Sequence, residues 1–169
     1  FVDPLPYDLA AAFEETSRRE PLFFILSPGV DPLGDLEILG HQKGFSLSQN
    51  NFSNVSLGQG QEPVAEKALI HDSKVGHWVI LQNLHLMQKW APKLEKMMEQ
   101  YCSDESHEDF RLFISAEPGG HVPVPSGILQ MCIKTTNEPP RGMKANMLQA
   151  ISNFNLDTLE MCSKAAEFK

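Results

Sequence analysis

The sequence predicts an α/β fold of three layers: a five-stranded parallel sheet with helices on both faces. Three observations carry this. Short apolar runs such as Leu22-Phe23-Phe24-Ile25-Leu26 and Trp78-Val79-Ile80-Leu81 show no in-out alternation, which marks strands buried on both faces. Patterns with helical spacing lie between the runs, as β-α-β units require. The chain of 169 residues, 41% hydrophobic and 21% charged, is long enough to cover such a sheet with a real core.

An extended lead-in opens the chain, and Asp8 is placed to cap a helix with Leu9, Ala12, Phe13 and Thr16 on its inner face. The first strand is read at 22–27. Asp31 can cap the next short helix, with Leu33, Leu36, Ile38 and Leu39 inward. Residues 44–54 are rich in Ser and Asn and read as a polar loop. A second strand is read at 55–57. Gly58-Gln59-Gly60 then leads to Glu62-Pro63, an acidic residue and a proline suited to a helix start. That helix turns Val64, Ala65, Ala68 and Leu69 to one side.

The third strand, 77–81, ends in Gln82-Asn83. Met87, Trp90, Ala91, Leu94, Met97, Met98 and Tyr101 then recur at helical spacing, with Pro92 in the first regular turn. Strand four is read at 110–115. Ser126 is a candidate cap for a short turn at 127–130, before a fifth strand at 131–134. Pro139, Pro140 and Gly142 interrupt the pattern. Two helical faces follow, one with Met147, Leu148, Ile151 and Phe154 and one with Leu156, Leu159 and Cys162. The expected division is therefore 1–138 for the sheet domain and 139–169 for a linker and the first helices of a lid. Leu156, Leu159 and Phe168 are expected to seek partners beyond Lys169, and Phe1 in place of Met suggests a piece of a longer chain.

The net charge of −8 disfavours non-specific binding to nucleic acid or anionic membranes, both of which need basic surface. No apolar run reaches the roughly 18 residues of a membrane span. Cys102, Cys132 and Cys162 are far apart, without zinc spacing or a disulfide framework, and fit a reducing compartment. Six histidines are scattered, and His77 and His85 flank a strand and turn rather than one helix face. No metal site is expected.

The first strand, glycine loop and helix have the layout of a phosphate-binding loop, and Gly29 and Gly34 are spaced as in its motif. The motif then needs Lys and Ser or Thr. Here Asp35 and Leu36 follow. The second station, a carboxylate pair ending an apolar strand, should hold magnesium and position water. Here Gln82 and Asn83 stand there, neutral amides that can do neither. An acid at Asp35 facing a phosphate would repel it by on the order of 4 kcal/mol per charge pair at about 4 Å and an effective dielectric of about 20. Gly29, Gly34, Asp35 and Leu36 thus form a degenerate phosphate loop and Gln82 and Asn83 a degenerate magnesium station. No catalytic residue is assigned. Restoring the motif needs Asp35→Lys, Leu36→Thr, Gln82→Asp and Asn83→Glu together.

Two other readings stay open from the residues. An active phosphate-loop nucleoside triphosphatase would need Lys43 or Lys74 as the missing lysine and Asp72 on magnesium. A dinucleotide site built on Gly58 and Gly60 would need a third glycine, where Pro63 stands, and a later acid where the sequence runs Ile80-Leu81-Gln82-Asn83.

A wider series of residues carries a resemblance: Pro21-Leu22-Phe23-Phe24-Ile25-Leu26-Ser27-Pro28-Gly29-Val30-Asp31-Pro32, Val55-Ser56-Leu57-Gly58-Gln59-Gly60-Gln61, Trp78-Val79-Ile80-Leu81-Gln82-Asn83-Leu84-His85-Leu86, Phe110-Arg111-Leu112-Phe113-Ile114-Ser115-Ala116-Glu117, and Thr136-Asn137-Glu138-Pro139-Pro140-Arg141-Gly142-Met143-Lys144-Ala145-Asn146. In order and spacing it resembles the sixth AAA+ module of dynein heavy chains. The tail from Asn153 to Lys169 is most similar to axonemal outer-arm chains of the beta type. The resemblance implies a large AAA+ subdomain that binds no nucleotide and closes a six-module motor ring between the fifth module and the first. It implies no cofactor in this stretch, with ATP and magnesium in other modules of the parent chain. Its implied partners are the neighbouring modules, other dynein subunits and, through the parent chain, the microtubule. The implied location is the cytoskeleton of the cytoplasm and the ciliary axoneme. Departures from the pattern are Glu62 before Pro63 and a short loop at Gly119-Gly120-His121-Val122.

Overall fold

The computed structural model describes residues 8–27, 30–117 and 124–137. The lid helices expected after residue 139, with Leu156, Leu159 and Phe168, lie outside these residues. In chain order the elements are α1 (Leu9–Glu14), β1 (Leu22–Leu26), α2 (Leu33–Lys43), β2 (Phe52–Ser56), α3 (Glu62–Val75), β3 (Trp78–Gln82), α4 (Ala91–Tyr101), β4 (Arg111–Ala116), α5 (Ser126–Met131) and β5 (Ile133–Asn137), with single 3-10 turns at Leu47–Gln49 and Leu84–Leu86. The five strands form one sheet in the order β2-β3-β4-β1-β5. All four pairings are parallel, with Phe24 opposite Ser115 and Ile80 opposite Phe113. This is the α/β fold the sequence predicts.

Each central strand divides its side chains between two cores because successive residues point to opposite faces. Phe23, Val79, Leu81, Leu112 and Ile114 pack with Ala65 and Leu69 of α3, Leu94 and Met98 of α4, and Ile128 of α5. Leu22, Phe24, Trp78, Ile80 and Phe113 pack with Phe13 of α1 and with Leu36 and Leu39 of α2. The second core is built around Trp78. Its ring lies 4.6 Å from Phe45, 5.0 Å from Phe13 and 5.3 Å from Phe113, centroid to centroid.

The helix ends follow local chemistry. Asp8 Oδ1 accepts from the N–H groups of Ala10 and Ala11 at 3.0 and 3.1 Å and so caps α1. Gly76 closes α3 at φ 89°, and the ring of His107 fills the space a Cβ would need. Both the left-handed backbone and the close ring favour glycine there.

Five expectations need correction. The second strand starts at Phe52, inside the stretch read as polar loop, because Phe52 buries edge-on against Trp78 and Phe113. The fifth strand starts at Ile133, whose N–H reaches Pro21 O at 2.8 Å, while Met131 completes α5. Ser126 lies within α5 and makes no cap bond; Pro125 precedes it. Ile38 is 63% exposed, because Leu36 and Leu39 already fill the buried stripe of α2. Val64 is half exposed, since Ala65 and Leu69 carry the buried side of α3.

Helices α3 and α4 are also tied by a polar link. Glu66 Oε1 accepts from Lys93 Nζ at 2.5 Å and from Trp90 Nε1 at 3.1 Å. The Lys93 bond, then the Trp90 bond, hold the Glu66 carboxyl below its ordinary 4.5. A folded-state value below the unfolded one stabilises the fold at neutral pH, and the gain disappears as acid titrates the carboxylate. Glu66→Gln should therefore be less stable than the parent at pH 7, with the gap closing as pH falls below 4.5 through the lowered value; urea denaturation along a pH series measures it. Trp78→Ala should cost about 3–5 kcal/mol in the same assay at neutral pH.

Candidate functional site

The carboxyl ends of β1, β3 and β4 meet the start of α2, the place where open parallel sheets hold ligands. A cavity of about 250 Å³ opens there, lined by Leu26, Val30, Asp31, Pro32, Gln82, Asn83, Ser115 and Glu117. Ligand pockets commonly span about 300–1,000 Å³, so this one is small.

Its polar groups bond to one another. Asp31 Oδ1 accepts from Leu33 N–H, at the first residue of α2, at 2.9 Å. The same oxygen accepts from Gln82 Nε2 at 3.1 Å. An aspartate placed just before a helix occupies a donor that would otherwise face an anion, and its charge suits the positive helix end. Asn83 sits in the left-handed region at φ 62° and ψ 43°. Its N–H donates to Ser115 Oγ at 3.3 Å and its Nδ2 to Ser56 Oγ at 3.4 Å. Beside it, Glu117 N–H donates to His85 Nδ1 at 3.1 Å, which places the ring proton on Nε2.

The structure brings Gln82 and Asn83 together in this cavity but not the other residues singled out in the sequence. Gly34 lies in the first turn of α2, with open space where a Cβ would stand. Asp35 lines a separate cavity with Asp8, Leu9, Ile38 and Gln42. Leu36 is 0% exposed and belongs to the Trp78 core. Gly29 lies outside the described residues. The acids that line the strand-end cavity are therefore Asp31, bonded to Gln82, and Glu117, and the expected Asp35 is not among them. From the sequence Asp31 is only a candidate helix cap; its bond to Gln82, across 51 residues, depends on strand order. Ser115 joins the site for the same reason, and Glu117 lines it from the end of β4, where a strand-end site is expected.

The groups needed by the alternative readings stand elsewhere. Lys43 ends α2 and pairs with Glu14 at 2.8 Å. Lys74 lies in the last turn of α3. Asp72 is buried just before β3, at the amino end of the sheet, and accepts from Ser53 Oγ at 2.6 Å. Gly58 and Gly60 form the turn into α3, with Gly60 at φ 82° and Gln61 N–H bonded to Gly58 O at 3.1 Å.

Strand order and the cleft at the strand ends define the class: an α/β domain like those of the P-loop AAA+ proteins. Residues 17–136 match the family described as the dynein heavy chain region D6 P-loop domain, and the chain belongs to the dynein heavy chain family. It is 56% identical over 173 residues to a ciliary dynein beta chain of Heliocidaris crassispina, covering 100% of this chain. It is 57% identical over 166 residues, 96% of this chain, to human dynein axonemal heavy chain 9. Against the flagellar outer-arm dynein beta chain of Chlamydomonas reinhardtii the identity is 46% over 172 residues, again 100% of this chain. In each case the match spans 4% of the relative's length. The similarity to outer-arm beta chains agrees with the resemblance read from the tail.

A test of the cavity's backbone follows from Asn83. Asn83→Ala should lose about 1 kcal/mol, because alanine tolerates the left-handed region poorly. Asn83→Gly should lose less, and thermal melts of the two variants side by side separate the backbone effect from the side-chain bond.

Proposed function

We propose that this chain is a non-hydrolysing structural module of a dynein heavy chain, closing the motor ring and passing conformational change between the neighbouring AAA+ modules. The parent chain would be a microtubule motor, driven by ATP bound elsewhere and working in the ciliary axoneme. The family match and the names of the relatives support the setting. The observation that carries the structural role is the bond pattern of Asp31. Its carboxylate engages both the start of α2 and Gln82, where a phosphate-loop enzyme needs free backbone donors and a metal-binding acid. An incoming phosphate would meet that carboxylate, and Gln82 and Asn83 offer magnesium no charge to offset the repulsion.

Calorimetric titration of the chain with magnesium–ATP, ADP and NAD tests this. No saturable binding at millimolar nucleotide is expected. Magnesium-dependent ATP binding that disappears in Gln82→Ala or Asn83→Ala would overturn the proposal and favour an active nucleoside triphosphatase. NAD binding lost on changing Gly58 would favour the dinucleotide reading.

A further inference from the structure

A second cluster lies at the opposite, amino end of the sheet, where α3 hands over to β3. His71, Asp72 and His77 each present one ligand atom, and these atoms lie within 4.8 Å of one another. Asp72 Oδ1 is 2.7 Å from His71 Nδ1 and 3.4 Å from His77 Nδ1. We propose that His71 Nδ1, Asp72 Oδ1 and His77 Nδ1 form a binding site for a divalent transition ion, with Zn²⁺ as the best fit.

Four observations support it. The nitrogen–oxygen–nitrogen donor set suits zinc, and three protein ligands plus a water complete its tetrahedron. With bonds of about 2.0–2.1 Å, the edge of that tetrahedron is about 3.3–3.4 Å. The gap between His77 Nδ1 and Asp72 Oδ1 has this length. His77 Nδ1 is also buried without a hydrogen-bond partner, so a cation there would satisfy an otherwise orphaned group.

The oxygen donor is already held in place. Asp72 is buried, its other carboxylate oxygen accepts from Ser53 at 2.6 Å, and its carbonyl accepts from the N–H groups of Gly76 and His77. A hydrogen-bonded ligand carboxylate is a regular second layer of metal sites. Only His71 must move, opening its 2.7 Å contact, and its side chain is 67% exposed and free to do so. A neutral His71 coordinates through Nδ1 by carrying its proton on Nε2, so no net proton need leave. Cys102 and Cys132 do not compete, because burial pushes both thiols up to about 12 and away from the thiolate a metal needs. Spacing along the chain does not point to a metal here, because the turn through Gly76 is what sets His71 and His77 side by side.

The test uses the full 169-residue chain, without a histidine tag and stripped with a chelator. Its folding is checked by circular dichroism. Zn²⁺ should bind in one equivalent at a Kd of about 10 μM or tighter by calorimetry. Co²⁺ as a probe should give the visible absorption bands of a tetrahedral site. His71→Ala should abolish the strong binding without disturbing the fold, His77→Gln should do the same, and Ser53→Ala should weaken it by about tenfold or more. Failure of Zn²⁺ to bind at millimolar concentration would overturn the proposal. Zn²⁺ binding unchanged by both histidine variants would also overturn it, placing the ion elsewhere. If His77→Gln does not fold, His71→Ala alone decides.

Discussion

A parallel sheet buried on both faces has no side it can leave to water, and this constraint orders most of the molecule. Trp78 and Ile80 turn to one core while Val79 and Leu81 turn to the other, all at 1% exposure or less. Every strand therefore needs a helix above and below. The chain supplies α3, α4 and α5 on one face and α1 and α2 on the other. Polar chemistry is displaced to the two ends of the sheet, where backbone groups at strand and helix termini still need partners. Asp31 serves the carboxyl end and Asp72 the amino end, each accepting bonds from backbone N–H groups or side chains at an element boundary.

That division explains what could be read in the sequence. The central strands were legible because four or five apolar residues in a row leave few other assignments. The stripe of α4 was legible because Leu94, Met97 and Met98 repeat at helical spacing. The edge strand β2 was obscured by its composition: Phe52 and Val55 are buried but Ser53, Asn54 and Ser56 are not, and such a run reads as a loop until Trp78 is set beside it. The start of β5 was obscured for a different reason. Met131 is apolar enough for a strand, but it completes the turn of α5.

The strand-end cavity was legible only in part. Gln82 and Asn83 could be placed because they close a strand whose position was clear. Asp35 was placed by motif counting, and counting fixes position along a helix but not the direction a side chain takes. On α2 the buried stripe belongs to Leu36 and Leu39, so Asp35 lines another cavity. Asp31 stands one residue before the N-cap Pro32, accepts from the first N–H of α2 and in addition joins β3 through Gln82.

Leu36 gives this arrangement a direction. The position that a phosphate loop reserves for a metal-binding hydroxyl is here a fully buried leucine in the Trp78 core. Replacing it with threonine puts a hydroxyl among apolar rings and removes buried volume, at a cost of a few kcal/mol, before any ligand is gained. A path through sequence space toward a working phosphate site must therefore descend in stability first, and the core acts as a ratchet against it.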